Sequence, residues 1–97
     1  MTEYVAHLAL PDGDFANAAL EKMQEVTDRA WVTDTVEAAV WLSWVVEADT
    51  DAEGIYALQE TRLRVEMLRG RSLFQGTPLI ITKGQFAIIH SEEVYCT

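Results

Sequence analysis

The chain has 97 residues, a formal net charge of −9 and an apolar fraction of 49%. This length fits one domain, and the apolar fraction argues against intrinsic disorder. There is no apolar run of the roughly 20 residues that a membrane-spanning helix needs, no basic-then-apolar leader and no cysteine besides Cys96. We therefore expect one small, acidic, soluble domain over residues 1–97, located in the cytoplasm and not bound to a membrane.

The first two predicted elements are a strand and an amphipathic helix. Residues 4–10 are rich in strand-forming side chains, and residues 11–13 have the composition of a turn. Asp14 is a candidate helix N-cap, and apolar side chains then recur at helical spacing as far as Ala30. The side chains predicted to pack from this helix onto a sheet are Phe15, Met23 and Val26.

Two central segments are ambiguous between strand and helix. In residues 35–48 every even position is apolar, and Val and Trp are frequent, which favours a strand. The composition of residues 55–68 favours a helix, and so do a capping box before the segment and a glycine after it. Its alternating polar and apolar side chains favour a strand instead. Giving more weight to periodicity, we predict a hairpin of the two segments in which Val40 faces Leu63.

The C-terminal part predicts a second hairpin. Residues 77–82 and 85–90 are apolar strands joined by Lys83 and Gly84, and residues 92–95 fit a last short strand. The expected fold class is α+β, with one N-terminal strand and one amphipathic helix packed on an antiparallel β meander. The alternative is three helices plus a C-terminal β hairpin. Because the last hairpin is apolar on both faces and one helix covers only one face, we also expect a homodimer.

Residues 49–60 match the spacing of a metal-binding motif. The first, third, fifth, sixth and twelfth positions are Asp49, Asp51, Glu53, Gly54 and Glu60. Oxygen ligands at these spacings can surround Ca²⁺, and the segment resembles the calcium-binding loop of EF-hand proteins. The resemblance implies a calcium-binding protein as the alternative function. Because the flanking segments are predicted strands and the sequence holds no second loop, we expect no metal and no other cofactor.

The acidic residues also predict a protein-binding surface. Residues 1–61 hold thirteen of the sixteen acidic residues and two of the seven basic ones. An acidic surface disfavours direct contact with nucleic acid and favours a basic protein partner. The residues predicted to bind this partner are Glu47, Asp49, Asp51, Glu53 and Trp41. The four carboxylates are spaced loosely like backbone phosphates, so analogy with phage-encoded inhibitors of nucleases predicts an inhibitor that mimics nucleic acid.

The remaining candidates concern the tryptophans and catalysis. On a strand Trp41 and Trp44 point to opposite faces, so we expect Trp44 in the core and Trp41 either in the core or at an interface. His7 and His90 lie on predicted strands without a nucleophile at motif spacing, and Cys96 has no neighbouring base. We therefore expect no catalytic residues and a non-enzymatic protein, with an enzyme that uses His7 or His90 as the weakest alternative.

Overall fold

One antiparallel sheet carries both described helices on the same face. The computed structural model describes residues 1–10, 13–34, 40–69, 77–84 and 87–93. The elements in these ranges are β1 (Thr2–Leu10), α1 (Gly13–Gln24), β2 (Ala30–Asp34), β3 (Val40–Ala48), α2 (Asp51–Arg69), β4 (Pro78–Lys83) and β5 (Ala87–Glu93). The strands lie in the order β2-β3-β1-β4-β5. The predicted α+β class, N-terminal strand and first helix are therefore confirmed.

The element order β-α-β-β-α-β, followed by a fifth strand, is that of a ferredoxin-like motif extended at one edge. The first strand is central in the sheet, because β1 pairs with both β3 and β4. Alternate side chains of β1 are buried beneath the helices, as expected for a strand with one covered face. The core that these strands form with the helices includes Tyr4, Ala6, Leu8, Leu10, Leu42, Trp44, Leu79 and Ile81.

Helix α1 packs on the sheet through the predicted side chains but is shorter than predicted. Met23 is fully buried, and Phe15 and Val26 are partly buried against the core, which confirms the predicted face. The helix begins at Gly13, so Asp14 lies in its first turn. It ends at Gln24, and the amides of Val26 and of the next residue both bond to the Met23 carbonyl. The prediction that it continues to Ala30 is wrong, because residues from Ala30 onward form β2.

The prediction that residues 55–68 form a strand is also wrong. They belong to α2, whose first turn is capped by the Thr50 hydroxyl accepting a hydrogen bond from the Glu53 amide at 3.2 Å. The buried side of this helix includes Gly54, Leu58 and Val65, which recur at helical spacing, and the largely buried Glu66. A glycine contributes no apolar side chain to this side, and large apolar residues lie on the outer side, so the sequence shows no clear helical stripe.

The predicted pairing of Val40 with Leu63 is consequently wrong. Residues 40–48 form the predicted strand, β3, but it pairs with β1 and β2, and Val40 lies opposite Leu10 and Asp34. Residues 35–39 of the predicted strand lie outside the described residues. The strand itself is predicted correctly because Val and Trp are frequent in the segment. The predicted pairing partner is wrong because the segment that follows is a helix and not a strand.

The C-terminal hairpin is confirmed. β4 and β5 are antiparallel neighbours, and Gly84 in the turn has a φ of 63°, which glycine adopts without steric cost. A β-bulge interrupts the pairing between Ile81 and Thr82. Residues 85–86, and residues 94–97 with Cys96 and the end of the predicted last strand, lie outside the described part of the chain. No helix among the described residues is long and apolar enough to cross a membrane.

Candidate functional site

Carboxylates gather where β1 begins, β3 ends and α2 begins. We call this group of side chains the acidic end: Glu3, Glu47, Asp49, Asp51 and Glu53. All five are exposed. Four of the predicted partner-binding residues therefore lie together, and Glu3 of the neighbouring strand joins them.

Two of these carboxylates are placed directly opposite each other. Glu3 and Glu47 are register partners in the β1–β3 pair, where like charges destabilise a sheet. Arg29 compensates Glu3, since its Nη2 lies 3.1 Å from Glu3 Oε2. Within the described part of the chain, Glu47, Asp49 and Glu53 form no salt bridge. The acidic end thus keeps uncompensated negative charge facing solvent.

Asp51 differs from its neighbours because it is held within the fold. The buried Tyr4 hydroxyl donates to Asp51 Oδ1 at 2.7 Å, and Lys83 Nζ lies 3.0 Å from the same oxygen. The hydrogen bond to Asp51, followed by burial, raises the pKa of Tyr4 to about 12. The hydrogen bond from Tyr4 and the ammonium of Lys83 lower the pKa of Asp51. This carboxylate ties the start of α2 to β1 and β4.

The structure does not form the calcium-binding loop that residues 49–60 resemble. α2 begins at Asp51, so the third to twelfth positions of the motif are helical and their oxygen atoms cannot surround one point. The chain before the motif is strand β3 rather than a helix. Among the described residues, no group of three or more His, Cys, Asp or Glu side chains is arranged to hold a metal ion.

A second candidate site lies on the exposed face, by which we mean the sheet face that points away from α1 and α2. A cavity of about 340 Å³ opens there. Its described lining comes from the four neighbouring strands β2, β3, β1 and β4 and comprises His7, Trp31, Thr33, Trp41, Ser43 and Ile80. Apolar ring surface with a few polar groups is typical of ligand-binding cavities.

His7 forms the centre of this lining. Its Nδ1 is 2.8 Å from Ser43 Oγ and its Nε2 is 3.4 Å from Thr82 Oγ1. The imidazole also meets the Trp41 ring edge-on, with a centroid distance of 6.4 Å and an interplanar angle of 84°. Burial lowers the pKa of His7, so its ring is neutral at pH 7. Both nitrogens have hydroxyl partners, and the ring is fixed in place.

The three tryptophans occupy different environments. Trp44 is fully buried under α2, as predicted, and its indole N–H donates to the Leu58 carbonyl at 3.1 Å. Trp41 points to the opposite face, where it is half-buried beside the cavity. Trp31 is 41% exposed on the same face. Trp41 and Glu47 therefore share one face, roughly 20 Å apart along β3 at about 3.3 Å per residue.

The sequence prediction missed most of the cavity residues. Trp31 and Thr33 lie on β2. The predicted elements do not include this strand, because the first helix is predicted to reach Ala30. Ser43 and Ile80 are recognisable once strand alternation is applied, since Ser43 is on the Trp41 side of β3 and Ile80 is the register partner of His7. The missing information was the sheet order, which brings these four strands together.

The other histidine belongs to a polar network between α2 and β5. His90 Nε2 lies 3.0 Å from Glu92 Oε1, and Glu92 also accepts a hydrogen bond from Gln59. Arg62 Nε donates to Gln59 Oε1, and Arg62 Nη1 pairs at 3.0 Å with Glu66, both side chains being largely buried. His90 and Arg62 therefore take part in the contacts that hold α2 against the edge strand β5.

Comparison with protein-family models, with curated proteins and with solved structures finds no match to this chain. A function therefore has to be argued from the acidic end and from the exposed face.

Proposed function

We propose that the protein is a non-enzymatic binding module that presents its acidic end to a basic protein partner. The observation that carries this proposal is the placement of Glu47 directly opposite Glu3, beside Asp49 and Glu53, with no salt bridge to Glu47 from any described residue. Like charges in register cost stability, and the sequence keeps them where a basic partner would neutralise them.

The nature of the partner follows from the charge. Clustered carboxylates attract Lys and Arg side chains and repel phosphates, so a partner that itself handles nucleic acid fits better than nucleic acid does. In this proposal the protein occupies the basic surface of that partner and acts as an inhibitor, as phage-encoded nucleic-acid mimics do. The proposed location is the cytoplasm.

A charge-reversal variant tests the acidic end. Asp51 is avoided because it also anchors α2, so the variant is Glu47→Lys with Asp49→Lys. Association with the captured partner should slow by roughly tenfold or more, because surface charges act mainly on the encounter rate. Unfolding free energy should not fall, and the Glu47→Lys change should raise it by about 0.2–1 kcal/mol by pairing opposite charges across the strands. Surface plasmon resonance and urea unfolding measure the two effects.

The matched control carries the same change of net charge elsewhere. Asp14→Lys with Glu21→Lys alters two exposed carboxylates of α1, and Asp14 follows the end of β1 that is farthest from Glu3. We expect capture from a lysate of the native host to retain basic proteins on the wild type and on this control but not on the test variant. Equal retention by all three would reject the acidic end as the binding surface.

We also propose that the chain forms a homodimer through the β5 side of the exposed face. Ile88, on that face opposite Thr82, is 64% exposed. A second copy would remove it from water. Static light scattering should give the dimer mass for the wild type and the monomer mass for Ile88→Glu. Leu63→Glu on α2, where Leu63 is 49% exposed, is the control and should remain dimeric. A monomeric wild type at high micromolar concentration would refute the dimer.

A further inference from the structure

The cavity on the exposed face offers aromatic ring surface to a ligand. Trp31 is the register partner of Ser43, and Thr33 is the partner of Trp41, so the two indoles are diagonal neighbours on adjacent strands. Diagonal positions are about 7–8 Å apart at the backbone, so the two indoles border the cavity next to each other and offer ring surface on which an aromatic ligand can stack. The side chains of Ile80 and His7 complete the mainly apolar lining on β4 and β1.

The lining also limits the charge of a ligand. None of the described residues that line the cavity is Asp, Glu, Lys or Arg. A charged ligand would lose water there without gaining a counter-ion, which is costly. The carboxylates of the acidic end are too distant to help, since Glu47 and Trp41 are at opposite ends of β3. The described lining therefore disfavours an anion most, and it favours an uncharged ring over a strongly hydrated ammonium group, to which it offers only the indole faces.

Polar groups at the cavity are few and are held in place. The Ser43 hydroxyl is buried and bonded to His7, which leaves its oxygen with at least one lone pair that can accept a further hydrogen bond. Thr33 supplies a second hydroxyl from β2. We propose that this cavity binds a small, planar, uncharged aromatic compound that carries one hydroxyl or carbonyl group. The site is separate from the acidic end and does not depend on the function proposed for it.

Naphthol is a suitable probe for this proposal. Calorimetric titration of the full chain should show saturable binding, and nitrogen-15 NMR should show shifts of the Trp31 and Trp41 indole signals with the Trp44 signal unchanged. Naphthoate, which is planar but charged, should bind at least about tenfold more weakly, as should decahydronaphthol, which is uncharged but not planar. Equal binding of the three compounds, or movement of the Trp44 signal alone, would overturn the proposal.

Variants connect binding to the cavity. Trp41→Ala should weaken naphthol binding at least about tenfold, and Leu63→Ala, at an exposed side chain of α2 outside the cavity, should leave it unchanged. If Trp41→Ala does not fold, Ile80→Phe serves the same purpose by filling the space while Trp41 remains. Unchanged affinity in a folded cavity variant would refute the site. So would a wild type that does not bind naphthol but loses its dimer on Trp41→Ala, because a second copy would then cover the cavity.

Discussion

A Gly54→Ala variant is expected to lose about 1–3 kcal/mol of unfolding free energy, although the same change in a helix normally gains up to about 1 kcal/mol. A Cβ built on Gly54 lies 2.5, 2.6 and 2.9 Å from three ring carbons of Tyr4. Tyr4 cannot move aside easily, because it is fully buried and its hydroxyl is bonded to Asp51. The clash therefore has to push α2 away from β1. Urea unfolding measures the loss.

Gly13 provides the matched control for this variant. It is the first residue of α1, and a Cβ there would meet no atom within 4 Å. Gly13→Ala should leave unfolding free energy unchanged or raise it slightly. If Gly54→Ala proves as stable as the wild type, then α2 does not approach β1 as closely as the contact with Tyr4 requires. The clash further predicts that Gly54 and Tyr4 substitutions are not additive in a double-mutant cycle.

Trp44→Ala is expected to cost about 3–5 kcal/mol, a large part of the roughly 5–15 kcal/mol that stabilises a small domain. The indole is fully buried between β3 and α2, so its removal leaves a cavity in the core. The variant also removes the N–H that donates to the Leu58 carbonyl. Thermal unfolding followed by circular dichroism should show a large drop in Tm.

The other tryptophans separate this effect from a general effect of aromatic residues. Trp31→Ala, at a side chain that is 41% exposed, should cost much less than Trp44→Ala. Trp44→Phe should fall between the two, since it keeps an apolar ring but leaves the carbonyl without its indole donor. A Trp44→Ala variant as stable as Trp31→Ala would contradict the assigned orientation of β3.

Strands β1, β3, β4 and β5 and the first helix could be predicted because their side chains alternate or recur in a way that the local chain displays by itself. β1, the C-terminal hairpin and the opposite orientations of Trp41 and Trp44 follow from period-two patterns. α2 could not be recognised in this way. Its buried side begins with Gly54 and includes the Arg62–Glu66 ion pair, while Tyr56 and Leu63 are exposed. Tertiary contacts determine this helix more than its own pattern does.

The candidate site was predictable only in part. Charge and spacing identified the carboxylates of the acidic end, but not the register that places Glu3 opposite Glu47. The cavity required the sheet order, which a single sequence does not reveal. Trp31 was the most informative residue missed, because its strand was not recognised.

The central position of the N-terminal strand also affects how the protein is made. β1 leaves the ribosome before the strands that flank it, yet one of these is β4, and Tyr4 pairs with Lys83 near the other end of the described chain. Until β4 emerges, one edge of an apolar strand stays without its partner and is open to wrong pairing with other chains. Because contacts so distant in sequence must close before the sheet is complete, we expect the sheet to form only after β4 has left the ribosome and folding to be slow for a domain of this size.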